Sequence, residues 1–386
     1  MRCFGMADPF KTWIDAAVVQ AIAHHVQRGW RGFDAAGFTD SALQGLDTLE
    51  LKARVQQVAQ ALAARLPDDA DRACGILETS LGPPASVDGE PEDWGALRTS
   101  DAGLAGWAVW PLTEAVALRT VHSAPERGLL ALQAMTQRLT AEFAIRPFFI
   151  AQPALTFATV GGWRQHPSAH VRRLVSEGSR PRLPWGLRLQ ALVADPSPTL
   201  PWLRALQDDP SAYVRRSVAN HLNDIAMDHP ALLADWLATH LPGASTERRA
   251  LLKHASRGLV KAGDAAVLAA WGLGAAYRGR VALGLSPAAL AVGDTLTITL
   301  GLTSAAREPQ RLAIDYAVQH VKAAGHTTPK VFKGWVIDLA PGERRTLVKR
   351  HALKRITTRT YHPGAHAVDV RINGQVLAEA GFALRV

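Results

Sequence analysis

The chain has 386 residues, which is long for one ordinary domain and suits either two domains or an elongated repeat array with an appendage. Hydrophobic residues make up 48% of the sequence and charged residues 20%, a composition that excludes a largely disordered chain. The formal net charge is +9, and the sequence has no apolar run of about 18 residues, so we expect no membrane-spanning helix and no membrane partner.

The N-terminal sequence MRCFGMADPFKTW lacks the apolar core of a secretory signal peptide. Only two cysteines are present, Cys3 and Cys74, and neither has the spacing typical of a zinc site or of a disulfide framework. We therefore expect a cytoplasmic protein that binds no metal and no cofactor.

The positive charge is concentrated in two parts of the chain. Residues 281–386 contain 14 Lys and Arg against 7 Asp and Glu, whereas residues 1–280 contain 29 against 27. Within that nearly neutral part, residues 164–216 contain nine arginines and four acids. This distribution favours binding of a phosphate backbone, and charge that only keeps the protein soluble is the alternative.

Apolar residues recur at spacings of three and four through residues 8–280, which predicts helices almost throughout that region. Ile14, Val18 and Ile22 are one example. The segment 84–105 is rich in Pro, Gly and acidic residues, so we expect a long loop between an N-terminal helical part and the remaining helices.

The strongest internal signal is a repeat, because the motif HPSAHVRRLVSE recurs as DPSAYVRRSVAN 43 residues later. Each copy has an apolar helix, a turn with Pro and Ser, and a second helix that carries two adjacent arginines. The period lies within the roughly 40 to 47 residues of HEAT and armadillo repeats, which predicts about four to six stacked helical hairpins. The paired arginines are Arg172, Arg173, Arg215 and Arg216.

These paired arginines are candidates for binding phosphate. In stacked helical hairpins the second helices line one concave face, so equivalent positions of successive repeats form a stripe along it. Arginines near the start of a helix add their charge to the helix dipole and to the unpaired backbone N–H groups, all of which attract phosphate. The alternative is that one arginine of each pair forms a salt bridge within the stack.

The stretch HPSAHVRRLVSEGSRPRLPW carries six Arg or His residues but only one carboxylate, Glu177. Arg173 precedes Glu177 by four residues, a helical spacing at which the two side chains pair and keep the acid ionised. Trp185 follows prolines that end the helix, so its ring can project as a platform. Asp224 lies in the second helix of the next repeat, and we expect these acids and the indole to meet beside the arginines.

After Gly274 the sequence alternates with a period of two between turn dipeptides, and about seven predicted strands favour an antiparallel immunoglobulin-like sandwich. One predicted strand and the turn after it carry a run of basic residues. Phosphate contact is the functional interpretation of this run, and a charged edge strand that prevents aggregation is the alternative. The basic residues are Lys349, Arg350, Lys354, Arg355 and Arg359.

Three sequence runs resemble the AlkC branch of the HEAT-like-repeat DNA alkylation-repair glycosylases, the AlkC/AlkD family. The runs are TAEFAIRPF (140–148), HVRRLVSEGSRPRLPW (170–185) and YVRRSVANHLNDIAMDHP (213–230). The resemblance covers residues 8 to about 280, and some members of this branch carry a C-terminal immunoglobulin-like domain. We therefore expect a mainly α protein: a HEAT-like-repeat superhelix for DNA binding and catalysis over residues 1–280, then an all-β immunoglobulin-like sandwich over residues 281–386 that contacts DNA.

The resemblance implies a monofunctional DNA glycosylase that acts as a monomer on double-stranded alkylated DNA. It implies removal of N3-alkylated bases, chiefly 3-methyladenine and secondarily 3-methylcytosine, with the damaged nucleotide left largely stacked, whereas most glycosylases flip it out. Arg173 and its neighbours, with Arg180 and Arg182 in the same stretch, are the predicted DNA-binding residues. The acidic and aromatic site positions of the family correspond here to Glu142, Glu177, Trp185 and Asp224.

Two functions are compatible with these patterns. The first is the glycosylase, and the second is a non-catalytic HEAT-repeat scaffold that binds nucleic acid or an acidic protein partner through the same arginines. A scaffold does not need acids in a positive groove, whereas a glycosylase requires them to stabilise positive charge on the sugar. For single residues, the alternatives are a surface position near Arg146 for Glu142 and simple core packing for Trp185.

Overall fold

The computed structural model describes residues 10–84, 98–273, 275–355 and 360–385. Most of the predicted loop 84–105 therefore lies outside the described residues, as does Arg359. The chain forms two compact units: one comprises the described residues up to Asp228 with Ser245–Ala255, and the other comprises His229–Ala244 with the described residues from Ser256 onward. The division of function at residue 280 stays a prediction.

Helices dominate the first unit, as the spacing of the apolar residues predicts. Sixteen α-helices occur in the described parts of the chain, and α13, α15 and α16 belong to the second unit. The helices are α1 (Ala16–Gly29), α2 (Ala35–Leu43), α3 (Leu51–Ala63), α4 (Ala70–Thr79), α5 (Val109–Thr120), α6 (Pro125–Met135), α7 (Arg146–Ala151), α8 (Pro153–Gly162), α9 (Ala169–Gly178), α10 (Gln190–Ala194), α11 (Leu200–Leu206), α12 (Ala212–Ile225), α13 (Pro230–His240), α14 (Thr246–Ala255), α15 (Arg257–Ala262) and α16 (Ala265–Ala270).

The two copies of the repeat place their elements at corresponding positions. The apolar helices α8 and α11 each precede a turn and a second helix, α9 in the first copy and α12 in the second. In α12 the positions Val214, Val218 and Leu222 are fully buried, and their spacing of four residues puts them on one face of the helix. This face lets α12 pack between α9 and α14. The hairpin arrangement predicted from the period of the repeat is therefore confirmed.

The turn of each repeat is fixed by its first residue and not by its serine. Ser168 and Ser211 are the N-cap residues of α9 and α12, but neither hydroxyl accepts a hydrogen bond from the helix. Instead, the backbone N–H of Ser168 donates to His166 Nδ1 at 3.1 Å, and that of Ser211 donates to Asp209 Oδ1 at 2.9 Å. A side chain that binds the backbone two residues ahead stabilises a turn of this kind.

The β-structure of the second unit has eight strands in the described residues, against about seven predicted. The additional strand is β2, which is short and contains only three residues. The strands are β1 (Gly279–Ser286), β2 (Ala289–Ala291), β3 (Thr295–Ser304), β4 (Gln310–Val321), β5 (Thr327–Leu339), β6 (Arg344–Ala352), β7 (Gly364–Ile372) and β8 (Gln375–Arg385).

These strands form two sheets around an apolar core. One sheet has the order β1-β3-β6 and the other has the order β2-β8-β7-β4-β5, with all neighbours antiparallel except β2 and β8. Leu296 and Leu300 of β3 are buried in the same cluster as Val368 and Ile372 of β7, because alternate residues of each strand point into the core. In the described residues, no helix combines the length and apolarity that a membrane span requires.

Candidate active site

The three predicted site carboxylates lie in one row, with two arginines between them. Glu142 Oε2 accepts a hydrogen bond from Arg173 Nη1 at 2.9 Å, and Arg173 Nη2 lies 3.5 Å from Glu177 Oε1. Arg180 continues the row, because its Nη1 donates to Glu177 Oε1 at 2.7 Å. Its Nε and Nη2 donate to the two oxygens of Asp224 at 2.7 and 3.0 Å. We call these five residues the charge chain.

The charge chain is largely shielded from solvent. Glu177 and Asp224 are each only 5% exposed, and Arg180 is 7% exposed. A carboxylate at such a position is stable only when it is paired and hydrogen-bonded, since desolvation of a single ion costs several kcal/mol. The alternation of acids and arginines meets this requirement, and three carboxylates with two guanidinium groups leave a formal charge of −1.

Glu177 is held as an anion by two arginines and one serine. It lies in the last turn of α9, and Ser217 of α12 donates to its Oε2 at 2.6 Å. Burial by itself raises the pKa of Glu177, but Arg173, Arg180 and Ser217 outweigh burial and hold the pKa below its ordinary value. The predicted pairing of Arg173 with Glu177 across one helical turn is confirmed.

Arg146 is one part of the site that sequence patterns did not predict. Glu142 pairs with Arg173, whereas Arg146 is fully buried and donates to backbone carbonyls. Its Nη1 and Nη2 donate to the carbonyls of Gly178 and Arg180 at 2.9 and 2.8 Å, and its Nε donates to that of Leu187. Burial lowers the pKa of Arg146 to about 10.

The positive charge of Arg146 balances the formal charge of the charge chain. Stabilisation of a cation at this site therefore depends on which carboxylate lies nearest to it, and not on a net negative charge.

Trp185 projects from the segment that Arg146 holds. Its side chain is 63% exposed, which excludes simple core packing, whereas Trp163 and Trp202 are buried. The residue has φ +63°, a left-handed conformation that bulky residues seldom adopt. The carbonyl oxygen of Trp185 accepts a hydrogen bond from Lys52 Nζ at 2.6 Å.

The first arginine of each repeated pair closes the turn of its own motif. Arg172 and Arg215 each donate from Nη1 to the carbonyls of the two residues that begin the motif. Arg172 also binds both oxygens of Asp209, at 2.6 and 3.0 Å, and so joins the two repeats. A salt bridge within the stack, the alternative to phosphate binding, is therefore found for Arg172.

The second arginines and their neighbours differ among themselves. Arg173 belongs to the charge chain and lies over the ring of Tyr213, 4.7 Å from its centre. Arg216 is exposed. Arg182 binds both oxygens of Asp228 at 2.7 Å. DNA contact by any of these arginines stays a prediction.

The basic run of the β-structure does not share one face. Lys349 is half-buried, with its Nζ 5.9 Å from the centre of the Trp335 ring, whereas Arg350 points to the opposite, exposed face of β6. Lys354 and Arg355 are exposed after the end of the strand. Arg359 lies outside the described residues.

Ser217 is a site residue that was not predicted, although a closer comparison of the two repeats would have found it. It stands where the first copy has Leu174, and a polar residue at a buried apolar position requires a partner. For Arg146 and Lys52 the sequence contains no such signal, because their partners are backbone carbonyls far along the chain. In the part of the chain that the structure describes, no group of three or more His, Cys, Asp or Glu side chains is placed to hold a metal ion.

Comparison with known proteins gives three results. Residues 280–386 match the family described as "Uncharacterised protein YhaZ, C-terminal Ig-like domain", which confirms the predicted immunoglobulin-like sandwich. The chain is 35% identical to the uncharacterized protein YhaZ of Bacillus subtilis over 389 aligned residues, which cover 98% of this chain and 99% of the relative.

The third result is a solved structure, that of the Pseudomonas fluorescens alkylpurine DNA glycosylase AlkC bound to DNA containing an abasic site analog. It superimposes with a TM-score of 0.86 and 34% sequence identity, and the match covers 97% of this chain and 99% of that one. The chain therefore belongs to the family of YhaZ and AlkC, as its sequence runs predicted.

Proposed function

We propose that this protein is a monofunctional DNA glycosylase that hydrolyses the N-glycosidic bond of cationic N3-alkylated bases in base excision repair. The first candidate substrate is 3-methyladenine, and 3-methylcytosine is the second. The observation that supports this proposal most strongly is the charge chain. It ends at Asp224, and its Arg180 lies in the same short segment of the polypeptide as the exposed Trp185. The similarity to AlkC in complex with DNA supports DNA as the partner.

The chemistry of a cationic base suits a site built from carboxylates. A 3-methylated adenine carries a positive charge in the nucleotide, so it departs as a neutral base and requires no proton from the enzyme. The costly step is the development of positive charge on the deoxyribose, in a transition state that resembles an oxocarbenium ion. Fixed carboxylates near the sugar stabilise that charge, and one of them can orient or deprotonate the attacking water.

Asp224 is the carboxylate that we assign to the sugar and the water. Arg180 supplies one hydrogen bond to each of its oxygens and so holds the carboxylate in a fixed orientation at the end of the charge chain. Glu177 is bound by Arg173, Arg180 and Ser217, which suits a supporting electrostatic role. Glu142, at the other end of the charge chain, is the second candidate for contact with the sugar.

Trp185 is the residue that we assign to recognition of the lesion. The face of an indole attracts a cation, and such a contact contributes about 0.5 to 2 kcal/mol. This attraction distinguishes a cationic damaged base from the neutral normal bases. The exposure of the ring supports a reaction on an accessible surface, in which the nucleotide stays largely stacked and is not fully flipped.

The proposed partner is double-stranded alkylated DNA, bound by a monomer at the bacterial nucleoid in the cytoplasm. The phosphate contacts that we propose are those of the exposed second arginine Arg216 and of the exposed basic residues Arg350, Lys354 and Arg355.

Release of free base from methylated duplex DNA tests the proposal. A glycosylase releases 3-methyladenine faster than it is lost spontaneously, and the strand stays uncut until the abasic site is cleaved chemically. If the purified protein binds the duplex but releases no base above the spontaneous rate, it is instead the non-catalytic scaffold.

A further inference from the structure

Residues 178–187, which we call the platform segment, connect the charge chain to Trp185. The segment contains Arg180, which binds Glu177 and Asp224, and it leads from there to the exposed indole. Any movement of the segment therefore displaces both the arginine and the ring.

Two cations from distant parts of the first unit hold the platform segment by its backbone. Arg146 binds the carbonyls of Gly178, Arg180 and Leu187, close to both ends of the segment. Lys52 of α3 binds the carbonyl of Trp185, although it lies 133 residues earlier in the sequence. Four carbonyl groups of one segment are thus fixed by two side chains.

The contact from Lys52 is placed where the segment has least other support. Trp185 has a left-handed backbone, and its ring is 63% exposed, so packing of the ring contributes little to keeping this conformation. A hydrogen bond to its carbonyl oxygen fixes the peptide plane, and through it the direction in which the ring leaves the backbone.

The charge of Lys52 also acts on a partly buried acid, Glu114. Glu114 of α5 accepts a hydrogen bond from Trp110 Nε1 at 3.2 Å. Burial raises the pKa of Glu114, whereas the hydrogen bond from Trp110 and the charge of Lys52 favour the ionised form. Burial prevails, and the pKa of Glu114 stays above its ordinary value.

We infer that Lys52 is a positioning residue: it holds Trp185 at the angle at which the indole meets the lesion, and it does so without touching the DNA. This inference rests on the function proposed above, since it assigns Lys52 a part in the same reaction. The observation that carries it is the bond from Lys52 to an exposed, left-handed tryptophan on the segment that completes the charge chain.

A double-mutant cycle with Trp185 tests this inference. We expect Lys52→Met to lower the single-turnover rate of 3-methyladenine release about three- to tenfold, which corresponds to the net contribution of one typical hydrogen bond. In a Trp185→Ala background the same substitution should have no further effect, because the ring that Lys52 orients is absent. Lys52→Arg should restore the rate, since a guanidinium also donates to a carbonyl.

Lys253→Met is the matched control, because Lys253 is an exposed lysine of α14 and its removal changes the net charge equally. If Lys52 instead contacts a phosphate, Lys52→Met reduces the salt dependence of DNA binding by about 0.9 in slope. Its effect then also persists in the Trp185→Ala background. Either result would overturn the inference, as would an unchanged rate for Lys52→Met.

A spectroscopic measurement separates this inference from the proposed function. In protein labelled with 5-fluorotryptophan, the fluorine resonance of Trp185 is assigned by its loss in Trp185→Phe. We expect Lys52→Met to shift or broaden this resonance, and Lys52→Arg and Lys253→Met to leave it in place. A wild-type protein that releases no base refutes the glycosylase, whereas an unchanged Trp185 resonance in Lys52→Met refutes the role of Lys52.

Discussion

Glu177 shows how a single acid is kept ionised at a buried position of this protein. Each of its oxygens is bound, one by Arg180 at 2.7 Å and the other by Ser217 at 2.6 Å. These donors offset the cost of removing the carboxylate from water, and the pKa stays below its ordinary value. The same donors also prevent rearrangement, because movement of Glu177 would leave buried charges without partners.

The buried titratable groups predict that acid destabilises the fold. Burial lowers the pKa of His221 to about 3 and that of His170 to about 4, both below the ordinary value of 6.5. Between these values the unfolded chain binds more protons than the folded one, so the free energy of unfolding falls as the pH falls. Each histidine contributes up to about 1.4 kcal/mol per pH unit in this window.

Urea unfolding at several pH values between 7.5 and about 4.5 checks this prediction. Glu177, whose pKa is also lowered, adds to the loss only below its ordinary value of 4.5, so the upper part of the window reports mainly on the histidines. His221→Gln should reduce the slope between about pH 6.5 and 4.5, because glutamine does not titrate. A slope equal to that of the wild type would show that His221 does not stay neutral in the folded protein.

The site residues could be predicted from the sequence where they belonged to a local sequence pattern. The spacing of four residues between Arg173 and Glu177 predicted their pairing, and the prolines before Trp185 predicted its projection. Arg146 and Lys52 gave no such signal. Their partners are backbone carbonyls, which every residue possesses, and only the folded chain shows which carbonyls lie within reach.

At the scale of elements, the two adjacent arginines of each repeat have different structural roles. The first arginine closes the turn of its own motif. In the first repeat this arginine, Arg172, also joins one repeat to the next through Asp209. The sequence predicted phosphate binding by the pair, with a salt bridge of one arginine as the alternative, but it could not say which arginine, because identical side chains at adjacent positions cannot be told apart by pattern. Their directions differ by about 100° around the helix, and this separates their roles.

The stability of the stack should therefore depend on Arg172 and not on Arg216. Arg172→Ala leaves the buried carboxylate of Asp209 without its bidentate partner, and we expect a loss of about 3 kcal/mol in the free energy of unfolding. Arg216→Ala is the matched control at an exposed position, with an expected change within about 0.5 kcal/mol. Equal losses in the two variants, measured by urea unfolding, would contradict the cross-repeat role of Arg172.

The sequence predicted the types of the secondary-structure elements better than their boundaries. The period of 43 residues predicted the helical hairpins, since each unit must bury its apolar face against a neighbour. In the β-structure, β2 has three residues, which is too short for an alternating pattern to be recognised, and it pairs in parallel with β8. Such a pairing depends on the closed sandwich and not on local sequence.

At the scale of the whole molecule, positive charge occurs in both units. We proposed DNA contact for the exposed residues Arg350, Lys354 and Arg355, and deletion of residues 281–386 is the obvious test. The second unit, however, also contains α13, α15 and α16, so this deletion would divide a compact body. Point substitutions are the better experiment.

The triple variant Arg350→Ala, Lys354→Ala, Arg355→Ala should weaken DNA binding and flatten its salt dependence. Each phosphate contact that is lost lowers the slope of log K against log salt by about 0.9, so three contacts lower it by about 2.7. Arg307→Ala, at another exposed position of the second unit, is the control and should leave the slope unchanged. An unchanged slope in the triple variant would remove this part of the second unit from the DNA-binding surface.

The central claim is that the charge chain acts on the sugar of an alkylated nucleotide, and Asp224→Asn tests it most directly. The measurement is the single-turnover rate of 3-methyladenine release with saturating protein, together with the Kd for the same duplex. We expect the rate to fall about 10²- to 10³-fold, as for loss of an electrostatic group at a reacting centre, while the Kd changes little. Equal losses of rate and affinity would show that Asp224 only maintains the structure, and would contradict the claim.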